Sequence, residues 1–331
     1  MARTDRSAYL LLLGMAVFFG GTWVAGKVAV DEVPPATIAA ARFALATALL
    51  WAWERSRAPV SRPRLADLPL AAALGATAVA GYNLLFLYGL ELAPATDGAI
   101  IVPGLAPVFA TALAWPLLGE RIGTRGVLGF ALAFAGLVLV VDPAGGVDSD
   151  RLLGALLFVL GAACWGVYSI LGKTATARFD PVTATLYATA SGTLMLLPFS
   201  FAGGGWGDLA GASGETWASV AYLGVFGTVL AFVLFYEGVK RIGPSRAASF
   251  ALLVPVFGVL GAVLLLDEPL SVFTVVGGIV VLAGLWLVQH RSGRTIPTDA
   301  DAAQDTDAGD QAPARRQGGL RARSRAALHP R

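Results

Sequence analysis

The sequence predicts an all-α polytopic membrane protein whose ten transmembrane helices form two inverted five-helix repeats. Three observations lead there: ten apolar segments of membrane length, an internal repetition with almost no gaps, and a strong alternation of Lys and Arg between successive gaps. The background is 331 residues, 56% of them hydrophobic and only 14% charged, with a mean hydropathy of +0.70. Soluble domains carry about a quarter charged residues, so this is a membrane composition.

A bilayer core needs roughly 17–25 apolar residues per helix. Segments near that length fall at about 8–30, 36–53, 68–90, 97–118, 125–141, 152–172, 182–201, 216–236, 246–266 and 271–289. Arg3 and Arg6 resemble the flank of a signal peptide, but the apolar run behind them is too long and nine more follow. It reads as an uncleaved first helix. With the N-terminus in the cytoplasm, the cytoplasmic gaps and span ends hold Arg3, Arg6, Arg55, Arg57, Arg62, Arg64, Arg121, Arg125, Lys173, Arg178, Lys240, Arg241 and Arg246. The far side holds only Lys27 and Arg151, among acids that include Asp31, Glu32, Asp97, Asp150, Asp208 and Glu268. Thirteen cations against two orient the chain by the positive-inside rule. The expected location is the cytoplasmic membrane, with both termini in the cytoplasm and the lipid bilayer as obligatory partner.

The repetition fixes the domains. Shifting the chain by 148 residues places Tyr88 on Tyr236, Pro107-Val108-Phe109 on Pro255-Val256-Phe257, Glu120 on Glu268, and Gly129 and Gly136 on Gly277 and Gly284. Nearer the front the offset is 146, placing Gly20 on Gly166, Gly26-Lys27 on Gly172-Lys173 and Pro35 on Pro181. The repeats are predicted at 8–141 and 152–289. Five spans per repeat send the second copy into the bilayer from the opposite face, the architecture of alternating-access carriers. Residues 290–331 lack apolar periodicity, acidic over Asp299–Asp310 and basic over Arg315–Arg331, and are predicted to be a disordered cytoplasmic tail. Nucleic-acid binding is not expected of so short a basic run.

The repeated motifs are Phe19-Gly20-Gly21-Thr22-Trp23, Lys27, Pro34-Pro35 and Arg42-Phe43 in the first copy, and Trp165-Gly166-Val167-Tyr168, Lys173 and Pro181 in the second. Each copy closes on a Leu-x-Glu turn, Leu118-Gly119-Glu120 or Leu266-Asp267-Glu268, followed by a Gly-rich helix. Their order resembles the drug/metabolite transporter superfamily, specifically ten-helix transporters with two EamA-type domains, over residues 8–289. Phe19 stands where the usual opening has Trp, and Arg42 faces Ala188 in the second copy, so the two halves differ chemically. The resemblance implies movement of a small metabolite, amino acid or drug, commonly outward.

Candidate site residues follow from depth in the membrane. Pro107 and Pro255 lie near the middle of spans four and nine at equivalent repeat positions. A proline removes one donor and clashes with the carbonyl four residues back, so symmetric helix breaks are expected there. Arg42 is the one cation clearly within a span, at a cost of about 2.5–3.5 kcal/mol at a helix centre. It either lines a cavity and attracts a carboxylate or phosphate, or snorkels outward and pairs with Asp31, Glu32 or Asp97. Phe19, Trp23, Tyr82, Asn83, Trp165, Tyr168 and Tyr187 are further cavity candidates, since Tyr and Trp join an apolar body to a polar handle. Trp23 and Trp165 could instead sit in the interfacial belt, and Asn83 could bond another helix. No Asp or Glu falls at mid-membrane. Asp97, otherwise a helix cap, and Glu237, otherwise an ion pair with Arg241, are the nearest candidates for gating or coupling, so strong proton coupling is not expected. Glu120 and Glu268 read as loop braces, Lys27 and Lys173 as snorkelling anchors.

The sequence carries no metal or cofactor motif and no hydrolase motif, and Cys164 is the single cysteine. The stretch from Gly166 to Thr174 has the wrong glycine spacing and context for a phosphate loop. No enzyme is expected. A non-transporting scaffold or sensor and a proton-coupled multidrug exporter are the alternatives to a carrier of a small-molecule substrate. A homodimer is compatible with the sequence.

Overall fold

A computed structural model describes residues 3–56, 64–118, 124–141, 148–176, 178 and 180–289. The tail 290–331 is a separate unit outside the described residues, as are Glu120 and Arg121. The described residues are helical, with no strand among them. Only internally bonded helices can satisfy the backbone in lipid as single spans. They are α1 (Arg3–Val30), α2 (Pro35–Ser56), α3 (Leu68–Leu92), α4 (Ala95–Leu118), α5 (Thr124–Val140), α6 (Ser149–Thr176), α7 (Pro181–Ala202), the short α8 (Trp206–Gly211), α9 (Gly214–Ile242), α10 (Pro244–Phe250), α11 (Leu253–Leu265) and α12 (Val272–Gln289).

Among the described residues seven helices are long and apolar enough to cross a bilayer, and three shorter apolar ones, α5, α11 and α12, bring the number to ten. Helix starts carry their expected chemistry. Asp180 accepts the Val182 N–H (3.1 Å) ahead of Pro181 at the first turn of α7, Ser213 accepts the Thr216 N–H (3.2 Å) for α9, and Ser271 the Thr274 N–H (3.0 Å) for α12. Side-chain oxygens there satisfy N–H groups that have no partner within the helix.

Repeat mates run antiparallel against each other. In α2 and α7, Thr47 and Thr193, mates at offset 146, touch through their hydroxyls at 3.5 Å, and seven residues on Glu54 accepts from Thr183 (3.0 Å), ten residues back along α7. In α5 and α12 the contacts cross over. A Cβ on Gly129 would lie 2.8 Å from the Gly284 carbonyl, and one on Gly136 2.7 Å from the Gly277 carbonyl. Glycine permits that backbone approach, the usual means of packing helices in lipid. The motif glycines repeat the pattern: Gly20 of α1 abuts Phe257-Gly258 of α11, and its mate Gly166 of α6 abuts Phe109-Ala110 of α4. The principal helix pairs are exchanged by the same relation, α1 with α9 and α11, α6 with α3 and α4. This is the inverted duplication in contact form.

The helix irregularities fall elsewhere than the prolines suggest. α4 runs unbroken through Pro107, whose carbonyl accepts the Thr111 hydroxyl (2.9 Å). The ninth span does break, at Ala251–Leu252 between α10 and α11. Pro255 lies in the first turn of α11, where a missing N–H is tolerated, and the Ala251 carbonyl takes the Val254 N–H (3.1 Å). The expected symmetric proline breaks are therefore absent. Their place is taken by single π-helical segments, Gly75–Gly81 within α3 and Val225–Leu230 within α9, at nearly equivalent repeat positions.

Candidate functional site

A cavity of about 710 Å³ occupies one half of the bundle. Its lining uses Met15–Trp23 of α1, Leu74–Phe86 of α3, Val102–Thr111 of α4, Trp165–Ala175 of α6, Ala184–Thr189 of α7, Gly227–Phe235 of α9 and Ala251–Val254 around the α10–α11 break. Successive spans alternate direction, and these stretches all lie in the middle or toward the end where the chain begins. The volume falls within the roughly 300–1,000 Å³ of small-molecule sites.

The π segments position the polar groups. A π turn adds one residue to the helical ring and displaces the normal hydrogen-bond ladder. In α3, Asn83 Nδ2 donates to the carbonyl of Ala78, five residues back, at 2.8 Å. In α9, Thr228 Oγ1 donates to the carbonyl of Leu223, again five residues back, at 2.9 Å. Asn83 thus bonds its own helix and not a neighbour. That bond assigns its amide nitrogen, leaving Oδ1 buried without a partner.

Arg42 lines the cavity and is 5% exposed, so it does not snorkel. Its Nη2 donates to Thr228 Oγ1 at 3.2 Å, its guanidinium carbon lies 4.6 Å from the Phe43 ring centre, and its Nε has no partner. Among the described residues no carboxylate pairs with it, and it is the one charged side chain of the lining. An unsatisfied buried polar group costs about 1–3 kcal/mol, and more when charged. Arg42 and Asn83 supply two of the four buried side-chain atoms left unpartnered among the described residues, one a cationic donor and one an acceptor.

Aromatic side chains form the walls. Trp165 packs on Tyr82 (centroids 5.1 Å) and Tyr168 (5.2 Å), and Phe19 meets Phe232 edge-on at 5.5 Å. Trp23, 2% exposed, closes the inner end against Phe86 at 4.9 Å and Phe158 at 5.9 Å, packed inside the bundle. Tyr187 is half-buried and stands outside the lining. Pro107 lines the cavity, whereas Pro255 does not.

Beyond Trp23 the bundle is shut. Glu268 accepts the backbone N–H groups of Ala95 (2.7 Å) and Thr96 (2.9 Å), capping α4 from the other repeat. Asp267 makes the turn that delivers it, at φ +53°, a region that favours glycine; the mate of Asp267 is Gly119. Asp97 is therefore not the cap. Fully buried, it takes a two-pronged bond from Arg151 (2.7 and 2.9 Å), which also donates to the Val140 carbonyl (3.1 Å). Lys27 donates to the Leu90 carbonyl (2.6 Å), tying α1 to the end of α3. Glu32 accepts the Ser213 N–H at 2.8 Å, a bond that holds its carboxyl below the usual range. At the opposite end Glu237 pairs with Lys240 (3.3 Å) and Arg241 (3.8 Å) on the surface. Neither Asp97 nor Glu237 lines the cavity.

The sequence offered Arg42 and Asn83 as candidates but not Thr228, whose role depends on a π turn without a composition signal. Glu268 was legible as a recurring carboxylate, though not its partners some 170 residues away.

Comparison with known proteins agrees with this architecture. The model of the EamA-like transporter family matches twice, over residues 6–142 and 152–289. An "Uncharacterized transporter" of Archaeoglobus fulgidus is 30% identical over 296 residues, 87% of this chain and all of the relative. A "Probable terminal-alkyne amino-acid exporter" of Streptantibioticus cattleyicolor is 29% identical, over 88% of this chain and 95% of the relative. A solved structure titled "Crystal structure of protein" shares the fold, with a TM-score of 0.58 at 22% identity, covering 88% of this chain and 99% of that one. With both repeats matched across most of its length, this multi-pass membrane chain belongs to the EamA-like transporter family.

Proposed function

We propose that the protein exports a small metabolite, amino acid or drug across the cytoplasmic membrane by alternating access, without strong proton coupling. The observation that carries this is the one-sided cavity: open space from mid-bundle toward the chain's first residues, and a polar clamp between repeats at the other end. With the orientation expected from Lys and Arg placement, this is the cytoplasm-facing state. Exchange of cavity and clamp between the two inverted halves delivers solute to the far side.

Outward movement draws support from the relative named as a probable exporter, which also places amino acids among the candidate solutes. Weak coupling draws support from the lining, where the described residues include no Asp, Glu or His to carry a proton between the two sides. The test uses proteoliposomes loaded with a panel of radiolabelled amino acids and cationic dyes. Protein-dependent efflux that an imposed pH gradient leaves nearly unchanged is the expected result. Absence of flux for every solute would favour a scaffold or sensor, and strong acceleration by a gradient would favour a proton-coupled exporter.

A further inference from the structure

We propose that the cavity selects zwitterionic α-amino acids by two-point recognition, the carboxylate on the Arg42 guanidinium and the ammonium on the Asn83 amide oxygen. The proposal rests on the transport reading above and deepens it by naming the solute class. Arg42 and Asn83 both line the cavity of about 710 Å³, both are more than nine-tenths buried, and each holds a polar atom without a partner. The two orphans are complementary in sign: a guanidinium N–H that needs an acceptor and an amide oxygen that needs a donor. A solute carrying a carboxylate and an ammonium supplies both in one molecule. A lipophilic amine leaves the guanidinium uncompensated and adds a second cation beside it. A simple carboxylic acid leaves Asn83 Oδ1 empty.

The broken symmetry of the repeats supports the same reading. The mate of Arg42 is Ala188, and the mate of Asn83 is Ala231, so each polar group occurs once although the surrounding helices occur twice. A symmetric cavity would present two like ends; this one presents an anion-binding group in the first repeat's second span and an acceptor in its third. Tyr82 and Trp165, packed together beside Asn83 in the lining, add π faces that attract an ammonium. The remaining apolar lining suits an uncharged side chain.

The experiment measures competition against labelled L-phenylalanine in counterflow by the intact protein in proteoliposomes. The competitors are unlabelled L-phenylalanine, 3-phenylpropionate (no ammonium) and phenethylamine (no carboxylate). Each truncated analogue is expected to compete about tenfold or more weakly, the worth of one charge-assisted hydrogen bond. Arg42→Gln is expected to erase the discrimination against phenethylamine, and Asn83→Leu that against 3-phenylpropionate, each leaving the other discrimination in place. Equal competition by phenethylamine and phenylalanine overturns the proposal, and needs no variant to fold. Failure of phenylalanine counterflow while a cationic dye still moves overturns the amino-acid class but leaves the transporter standing; failure of every solute overturns both.

Discussion

A guanidinium buried without a carboxylate is a cost to the fold that a bound anionic group would offset. Arg42 has one hydroxyl and one ring as compensation, and even buried ion pairs, when replaced by apolar groups of similar size, often leave proteins about 1–4 kcal/mol more stable. Arg42→Met is therefore expected to raise the melting temperature of the purified protein by several degrees while abolishing flux of carboxylate-bearing solutes. A drop in melting temperature would mean that Arg42 is structural. Thr228 makes the opposite case. It donates to the Leu223 carbonyl and accepts from Arg42, so Thr228→Val removes two bonds and is expected to cost about 1–3 kcal/mol, read as earlier thermal unfolding. Glu32, at the closed end, adds a pH-dependent contact. Its carboxyl is held low by Ser213, so that contact is complete above the ordinary carboxylate range and is lost as pH falls through the lowered value. Glu32→Gln is expected to remove that part of the acid sensitivity of thermal unfolding.

At the scale of elements, the paired π segments set which faces of α3 and α9 meet the cavity. Wound as plain α-helix with its residues kept, Gly75–Gly81 would turn everything beyond it by about 100°, a full turn divided by 3.6 residues, whereas removing one residue restores the α-helix with the rest in phase. Deleting Ala76 is expected to leave a helical, membrane-inserted protein by circular dichroism, with the Ala78 carbonyl returned to the backbone ladder, Asn83 without its anchor and transport reduced. Transport at the native level would show that the π turn is incidental. These segments also mark where the sequence stopped being informative. Ten spans were legible because apolar runs and alternating Lys and Arg are one-dimensional signals. The small residues of 75–81 are equally compatible with plain α-helix, and proline, the visible breaker, pointed at α4, which runs on unbroken. The crossing glycines were legible as a repeat but not as a contact. Gly20 would place a Cβ 2.6 Å from that of Phe257, a clash that only the assembled bundle reveals.

For the whole molecule, the inverted duplication makes the two ends comparable contact by contact. Glu268 caps α4 through two backbone N–H groups, Ala95 and Thr96. Their mates by the repeat are Gly243 and Pro244, and the mate of the carboxylate is Glu120. Proline has no N–H, so the corresponding clamp on the other face would have one donor fewer. The end with two donors is the one found closed, which is the sense of the imbalance. Weakening Glu268 should then shift the population toward the state open on its side, because a conformational equilibrium moves by the difference in interaction between its states. In a Cys164→Ala background, Ala99→Cys reports this: Ala99 is fully buried one turn into α4 at the closed end. Glu268→Gln is expected to speed labelling of that cysteine by a membrane-impermeant maleimide from outside about tenfold, the effect of about 1.4 kcal/mol. Glutamine accepts with one oxygen where the carboxylate uses two, so the loss is partial and the protein is expected to stay folded. Unchanged labelling, with transport intact, would show that the clamp at Glu268 does not govern access. Arg151 and Asp97 would then be the next pair to break, since their part-buried bidentate bond ties α4 to α6 at the same end.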